Sequence, residues 1–144
     1  MASSPDEEAI HHEIRRRVFV EEQGFFQGTD RDEHDDDRRT LKVLALWGPV
    51  AGGAVRLYPL DEEGLWKGDR LAVLDPFRRR RLGGPLVRFA VKTAGERGGR
   101  RMLAHVQVPN VPFFQRLGWD AIGEPEEFVG HLHQVMAIDL GPAG

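Results

Sequence analysis

The chain has 144 residues, 20 lysines and arginines against 23 aspartates and glutamates, a net charge of −3 and no cysteine. That length suits one domain with a core of its own. The charge balance gives no bulk attraction to nucleic acid or membrane, and the missing thiols remove disulfides, thiolate metal sites and a cysteine nucleophile. The N-terminus is polar and acidic without a signal-type apolar segment, and no apolar run is long enough to span a bilayer, so a cytoplasmic protein is expected.

Residues 1–7 are small and polar and predict a frayed start. Asp6 is the expected cap of a helix over residues 6–20, in which Ile10, Ile14 and Val18 recur at every fourth position. His11 and His12 fall on the polar part of that helix and read as surface. Residues 21–28 contain Gly24, Phe25 and Phe26, an apolar loop that should pack down. Residues 29–39 hold Asp30, Asp32, Glu33, His34, Asp35, Asp36 and Asp37. As a calcium loop this fails, with Asp35 where glycine belongs and Leu41 where the bidentate glutamate belongs, so no metal is expected. A solvated loop, or a surface that draws a cationic amine, remains.

Residues 41–47 and 50–58 read as strands joined by a Gly48-Pro49 turn, a hairpin. Residues 65–74 form a third strand, interrupted near Gly68. A helical pattern follows with Leu82, Leu86, Phe89, Ala90 and Thr93 on one side, stopped by Gly98-Gly99. Residues 101–108 read as a strand. Residues 110–117 suit a short helix with Asn110 as N-cap and Gly118 as terminator, and residues 119–123 and 133–140 are two last strands. Trp47, Trp66 and Trp119 read as packing residues. The order αβββαβαββ predicts a mixed α/β fold, a central mixed sheet flanked by helices with a parallel pair across the central helix.

The stretch 69–98 organises the rest. It runs from an apolar strand (Leu71, Ala72, Val73, Leu74) through Asp75-Pro76 into Arg78, Arg79, Arg80 and Arg81, then Leu82, Gly83, Gly84 and Pro85. A strand, a glycine loop and a helix N-terminus present backbone N–H groups without intrahelical partners and a partial positive charge. Arginine forks suit phosphate oxygens. The segment reads as a phosphate cradle or, less specifically, as a solvated basic face. It has neither G-x-G-x-x-G nor G-x-x-x-x-G-K-[ST], which disfavours a dinucleotide or ATP.

Four segments together resemble the GNAT superfamily of acetyl-CoA-dependent N-acetyltransferases. Arg78-Arg79-Arg80-Arg81-Leu82-Gly83 is similar to the family's pyrophosphate loop, (R/Q)-x-x-G-x-(G/A). Asn110 with Phe113-Phe114-Gln115-Arg116-Leu117-Gly118-Trp119 is similar to N…F-Y-E-K-L-G-F. Ile14 to Gln23 resembles the R-x-x-V-F-V-x-E-Q segment of a bacterial subgroup, with a distant likeness to acyl-homoserine-lactone synthases. Gly130 to Met136 resembles that subgroup's G-x-P-H-x-x-M ending. The sequence departs from the family at Arg81, which replaces a glycine and should avoid positive φ, and at Phe114, which replaces a frequent tyrosine proton donor. Pro85 is tolerable only in the first helical turn. The family's opening strand has no counterpart in the pattern of residues 1–9; it is missing, or a homodimer covers the exposed sheet edge.

The resemblance implies a single acetyltransferase domain over residues 1–144 that moves an acetyl group from acetyl-CoA to the primary amine of a small molecule. It implies that Leu71, Ala72 and Val73 line the cosubstrate and offer an oxyanion donor. Arg78, Arg79, Arg80, Arg81, Leu82, Gly83, Gly84 and Pro85 would hold its phosphates, and Asn110 and Phe114 would flank the pantetheine. Candidates for the base that takes the amine proton are Glu22, His105 and His133. The alternatives are a catalytically impaired acyl-CoA-binding module and an acyl-homoserine-lactone synthase-like acyltransferase.

Overall fold

The computed structural model describes residues 1–128 and 131–140; the side chains of Arg79, Arg80 and Phe128 fall outside the described residues. So does Gly130, the first residue of the fourth motif.

The chain opens with α1 (Pro5–Arg15), which continues as a π-helical segment, Arg16–Glu22. Ser4, not Asp6, caps α1: its hydroxyl accepts from the Glu7 amide, and the Glu7 carboxylate reaches back to the Ser4 amide. Three antiparallel strands follow, β1 (Leu41–Trp47), β2 (Val50–Pro59) and β3 (Leu65–Val73). A 3-10 turn, Asp75–Arg80, leads into α2 (Gly83–Glu96). Then come β4 (Arg101–Gln107), α3 (Val111–Arg116), β5 (Asp120–Phe128) and β6 (His131–Asp139). The sheet order is β1-β2-β3-β4-β6-β5, and only the β3–β4 pair is parallel. Among the described residues no strand precedes α1; a single backbone bond from the Ala2 amide to the Lys42 carbonyl, 2.8 Å, touches the edge of β1.

The two faces of the sheet are covered differently. Ile14, Val18 and Phe19 of the first helix pack on Ala54, Ala72 and Leu74. On the opposite face Leu86, Val87, Ala90 and Ala94 of α2 pack on Val43, Val55, Leu57 and Met102. Period-two alternation along β2 sends Val55 and Leu57 to α2 and Ala54 and Arg56 to α1.

Several expectations change. β3 is broken at Arg70, not at Gly68: Arg70 sits at φ 53°, where the β2–β3 register slips. His11 is fully buried and bonds the Val55 carbonyl through Nε2 at 2.9 Å, opposite that slip, where the ladder is locally disrupted. β5 runs on to Phe128, past Pro125; as an edge strand with a register shift there, it can do without a proline N–H. Asn110 occupies the N-cap position of α3 but makes no side-chain capping bond.

Candidate active site

β3 and β4 pair only over Leu65–Lys67 against Arg101–Leu103. Beyond Lys67 the bulge at Arg70 bends β3 away, and the strands splay apart. The β4-facing edge of Leu71, Ala72 and Val73 is thereby left without a ladder partner, while Ala72 and Val73 still pair with β2 on the other edge. Two cavities meet in this opening.

The larger, about 1010 Å³, is a groove lined by Leu71, Ala72, Val73, Gly83, Gly84, Pro85, Asn110, Phe113 and Phe114, with Arg78, Arg81, Arg88 and Arg116 around it. Gly83 and Gly84 open α2, so their amides lack intrahelical acceptors, and Pro85, third in the helix, has no amide to orphan. Arg81 adopts a left-handed conformation (φ 57°, ψ 41°), against the expectation that the loop avoids positive φ there. It keeps the backbone shape of the glycine it stands in for, at a strain of about 1–2 kcal/mol. Arg88 folds back over Gly84, with a guanidinium nitrogen 3.5 Å from where a Cβ on Gly84 would lie. The sequence reading missed Arg88; its spacing of four from Gly84, one helical turn, was the available signal. Arg78 is already engaged: Nε donates to the Val73 carbonyl (3.2 Å), and its guanidinium pairs with Asp75 and Glu22.

The smaller cavity, about 160 Å³, lies on the α1 side of the splay and reaches through it. Its walls include Phe19, Phe25, Phe26, Lys67, Asp69, Arg70, His105 and His133. Four residues line both cavities: Leu71, Gln107, Asn110 and Phe114. Gln107 donates to Gln23 Oε1 at 3.1 Å, a bridge from β4 to the loop after the first helix. Phe114 is held edge-on between Phe113 (5.4 Å) and Trp119 (5.5 Å) and brings no hydroxyl to the junction.

The three candidate bases separate. Glu22 is exposed, lines the groove rather than the smaller cavity, and is tied to Arg78. His105 and His133 both line the smaller cavity. His105 is held below the ordinary imidazole range by partial burial, then by the Lys67 ammonium and by His133. His133 is buried, with Nδ1 3.1 Å from the His131 carbonyl, and Phe25 packs against both imidazoles.

The acidic loop is solvated only in part: Asp30 and Asp35 are buried, while Glu33 and Asp36 are exposed. Arg15 bonds Asp30 (2.7 Å) and grips both oxygens of Asp35 (2.7 and 2.9 Å). Arg56, fully buried on β2, holds Asp69 (2.8 and 2.6 Å) and Asp32 (2.7 and 3.1 Å) and reaches Asp35. Arg70 bonds the Asp30 carbonyl and the Asp32 carboxylate, and its guanidinium lies 4.6 Å from the Phe26 ring centre. These cations hold the Asp32 and Asp35 carboxyls below the usual carboxylate range against the opposing effect of burial. Asp30, Asp32 and Asp35 are therefore structural ties, which removes them from the reading of an acidic surface open to a cationic amine, while Glu33 and Asp36 stay exposed.

A six-stranded mixed sheet opened between its two parallel strands, with a helix N-terminus at the opening, defines the acyl-CoA N-acyltransferase fold. The chain belongs to the acetyltransferase (GNAT) family, whose model it matches over residues 7–119. It is 27% identical over 113 residues to the uncharacterized N-acetyltransferase YjcF of Bacillus subtilis, covering 78% of each chain. The Escherichia coli ElaA structure superposes with a TM-score of 0.83 at 21% identity, over 94% of this chain and 91% of that one. An aminoglycoside 6'-N-acetyltransferase complexed with coenzyme A superposes at 0.77 with 16% identity, over 96% and 93%. Among the described residues no helix is long and apolar enough to cross a membrane.

Proposed function

We propose that the chain transfers the acetyl group of acetyl-CoA to a primary amine of a small molecule by direct attack. The observation that carries this reading is the junction: a groove with a basic, glycine-lined helix mouth runs along the unpaired edge of β3 and shares Leu71, Gln107, Asn110 and Phe114 with a separate, largely apolar cavity. A phosphate-bearing tail in the groove would lay its thioester at that junction, and an amine in the cavity would face it.

In this reading the Gly83 and Gly84 amides, the helix dipole and Arg88 bind phosphate oxygens. Arg81 lines the same mouth. The unpaired backbone of Leu71–Val73 pairs with pantetheine amides, and an N–H there donates to the oxyanion. The amine nitrogen attacks the thioester carbon, the C–S bond breaks, and the amine proton leaves to His105, directly or through one water, while the departing thiolate takes up a proton from solvent. His105 fits this role because it lines the acceptor cavity and its lowered pKa leaves it neutral at pH 7.

The test is thermal unfolding with and without acetyl-CoA, followed by thiol release across an amine panel. Ligand at about a hundred times its Kd adds about 2.7 kcal/mol of stability. No shift overturns the reading. Phe114, without a hydroxyl at the junction, favours one rival, an acyl-CoA-binding module that has lost catalysis. A shift with no thiol release from any amine supports that rival. In the enzyme reading, His105→Ala lowers kcat/KM by about 100-fold or more and removes an acidic limb that lies below the ordinary imidazole range. An unchanged pH profile in that variant removes His105 from the role.

A further inference from the structure

The acceptor cavity has an unusual charge balance. Of its charged lining residues, Asp69 is gripped by Arg56 and Arg70 is bonded into Asp30 and Asp32. Behind them four cations, Arg15, Lys42, Arg56 and Arg70, meet Asp30, Asp32, Asp35 and Asp69, and Lys42 also pairs with the half-exposed Glu8. Each of its carboxylates has a cationic partner, and the cluster presents no free carboxylate to a cationic substrate. Lys67 is different. It lines the same cavity from β3, is only half-buried, and makes no hydrogen bond or ion pair among the described residues. The rest of the wall is mostly apolar, with Phe19, Phe25 and Phe26 among it, and its other polar groups, His105, His133, Gln107 and Asn110, are not cationic partners of a carboxylate at neutral pH. Glu126, opposite His133 on β5, carries a carboxylate near this side but is not part of the cavity wall.

We infer that the acceptor is an apolar amino acid or a close relative, a molecule that carries an anionic group beside its amine, and that Lys67 is the specificity-determining residue that holds this anion. The inference rests on the acetyltransferase reading and adds the substrate class to it. A compact ammonium on a flexible stem suits a single carboxylate as a point charge, and the three phenylalanines suit an apolar side chain on the same molecule. A polycationic acceptor would meet an unneutralised Lys67 and no free acid within the wall. The acidic appearance of residues 30–37 is therefore a poor guide to the substrate, because Asp30, Asp32 and Asp35 face arginines inside the protein and the remaining carboxylates of that loop are not part of the cavity wall.

The experiment compares matched acceptors with the full-length chain and acetyl-CoA, following thiol release: phenylalanine against phenethylamine, leucine against isoamylamine, methionine against 3-(methylthio)propylamine. The amino acids should show kcat/KM values about 10- to 100-fold above their decarboxylated partners, the range set by one charge-assisted hydrogen bond. Lys67→Met should remove that advantage, read as the ratio of each amino acid to its own amine so that a change shared by both through His105 cancels, with the acetyl-CoA thermal shift intact, and Lys67→Arg should restore part of it. A separate arm measures calorimetric binding of N-acetylphenylalanine to the CoA-loaded chain, wild type against Lys67→Met. Thiol release that favours the decarboxylated amines, or a Lys67→Met loss equal for both classes, overturns the inference while leaving the acetyltransferase reading intact. Absence of all thiol release with Lys67-dependent binding of N-acetylphenylalanine overturns the enzyme reading and leaves the anion site standing. Absence of both turnover and Lys67-dependent binding ends both.

Discussion

Two arginines in this chain share one backbone conformation for opposite reasons. Arg81 and Arg70 both sit at positive φ, 57° and 53°, a region where a Cβ costs about 1–2 kcal/mol. At Arg81 nothing in the fold requires the side chain: it is exposed at the groove mouth, and the backbone shape alone positions Gly83 and Gly84. Arg81→Gly should therefore raise stability by up to about 1 kcal/mol, the relief of strain exceeding the added freedom of the unfolded chain. At Arg70 the guanidinium ties the Asp30 carbonyl and the Asp32 carboxylate and covers Phe26, so the strain is outweighed. Arg70→Gly should lower stability by at least about 2 kcal/mol, because Asp30 loses a buried cation. Urea unfolding of the two variants checks the pair; equal signs would show that backbone strain, not the side-chain bonds, decides at both sites.

At the scale of elements, the loop of residues 24–37 is fastened to the sheet by charge more than by apolar burial. Arg56 is the central tie, since among the described residues it is the one cation that reaches all three of Asp32, Asp35 and Asp69. Arg56→Met removes one cation and leaves those carboxylates facing a buried apolar stem. A broken buried pair costs about 3–5 kcal/mol, a large fraction of the stability of a domain of this size. The expected result in urea is a midpoint fall of that order, with a smaller loss in the double variant Arg56→Met/Asp69→Leu, because the carboxylate left behind is the costly part. This tie also marks the limit of what the sequence discloses. The strands and helices follow from local periods, and the glycine-arginine helix mouth follows from a contiguous stretch. The sequence singles out the strand that carries Arg56 but not Arg56 itself. Its partners were not legible either, because Asp32, Asp35 and Asp69 come from two other segments, and only strand register brings them together. The cavity was hidden for the same reason: Lys67, His105, His133 and Phe25 come from four separate segments that meet only where β3 and β4 part.

Across the whole molecule, burial of uncharged imidazole makes stability depend on pH in a defined direction. His11 is fully buried, donates to the Val55 carbonyl, and is pushed down to about 3, first by burial and then by the Arg15 charge. His12 is pushed down to about 4 by burial and by Arg15 and Lys42. In the unfolded chain both titrate near 6.5, so below that pH the unfolded state binds more protons than the folded one. Stability is complete above about pH 6.5 and declines as the pH falls toward about 3; for His11 alone the loss at pH 5 is about 2 kcal/mol. Asp32 and Asp35 act in a second, lower window, since their carboxyls are held below the usual 3.8 and their contribution disappears only as they protonate. The chain should thus lose stability in two stages on acidification, histidine first and carboxylate second. Thermal melts from pH 7.5 to 3.5 test the first stage. The His11→Ala variant, weaker at pH 7, should show a slope reduced by about one proton, or about 1.4 kcal/mol per pH unit, between pH 4 and 6. A flat profile between pH 6.5 and 4.5 in the wild-type chain would contradict a neutral, buried His11 and, with it, the seating of α1 on β2.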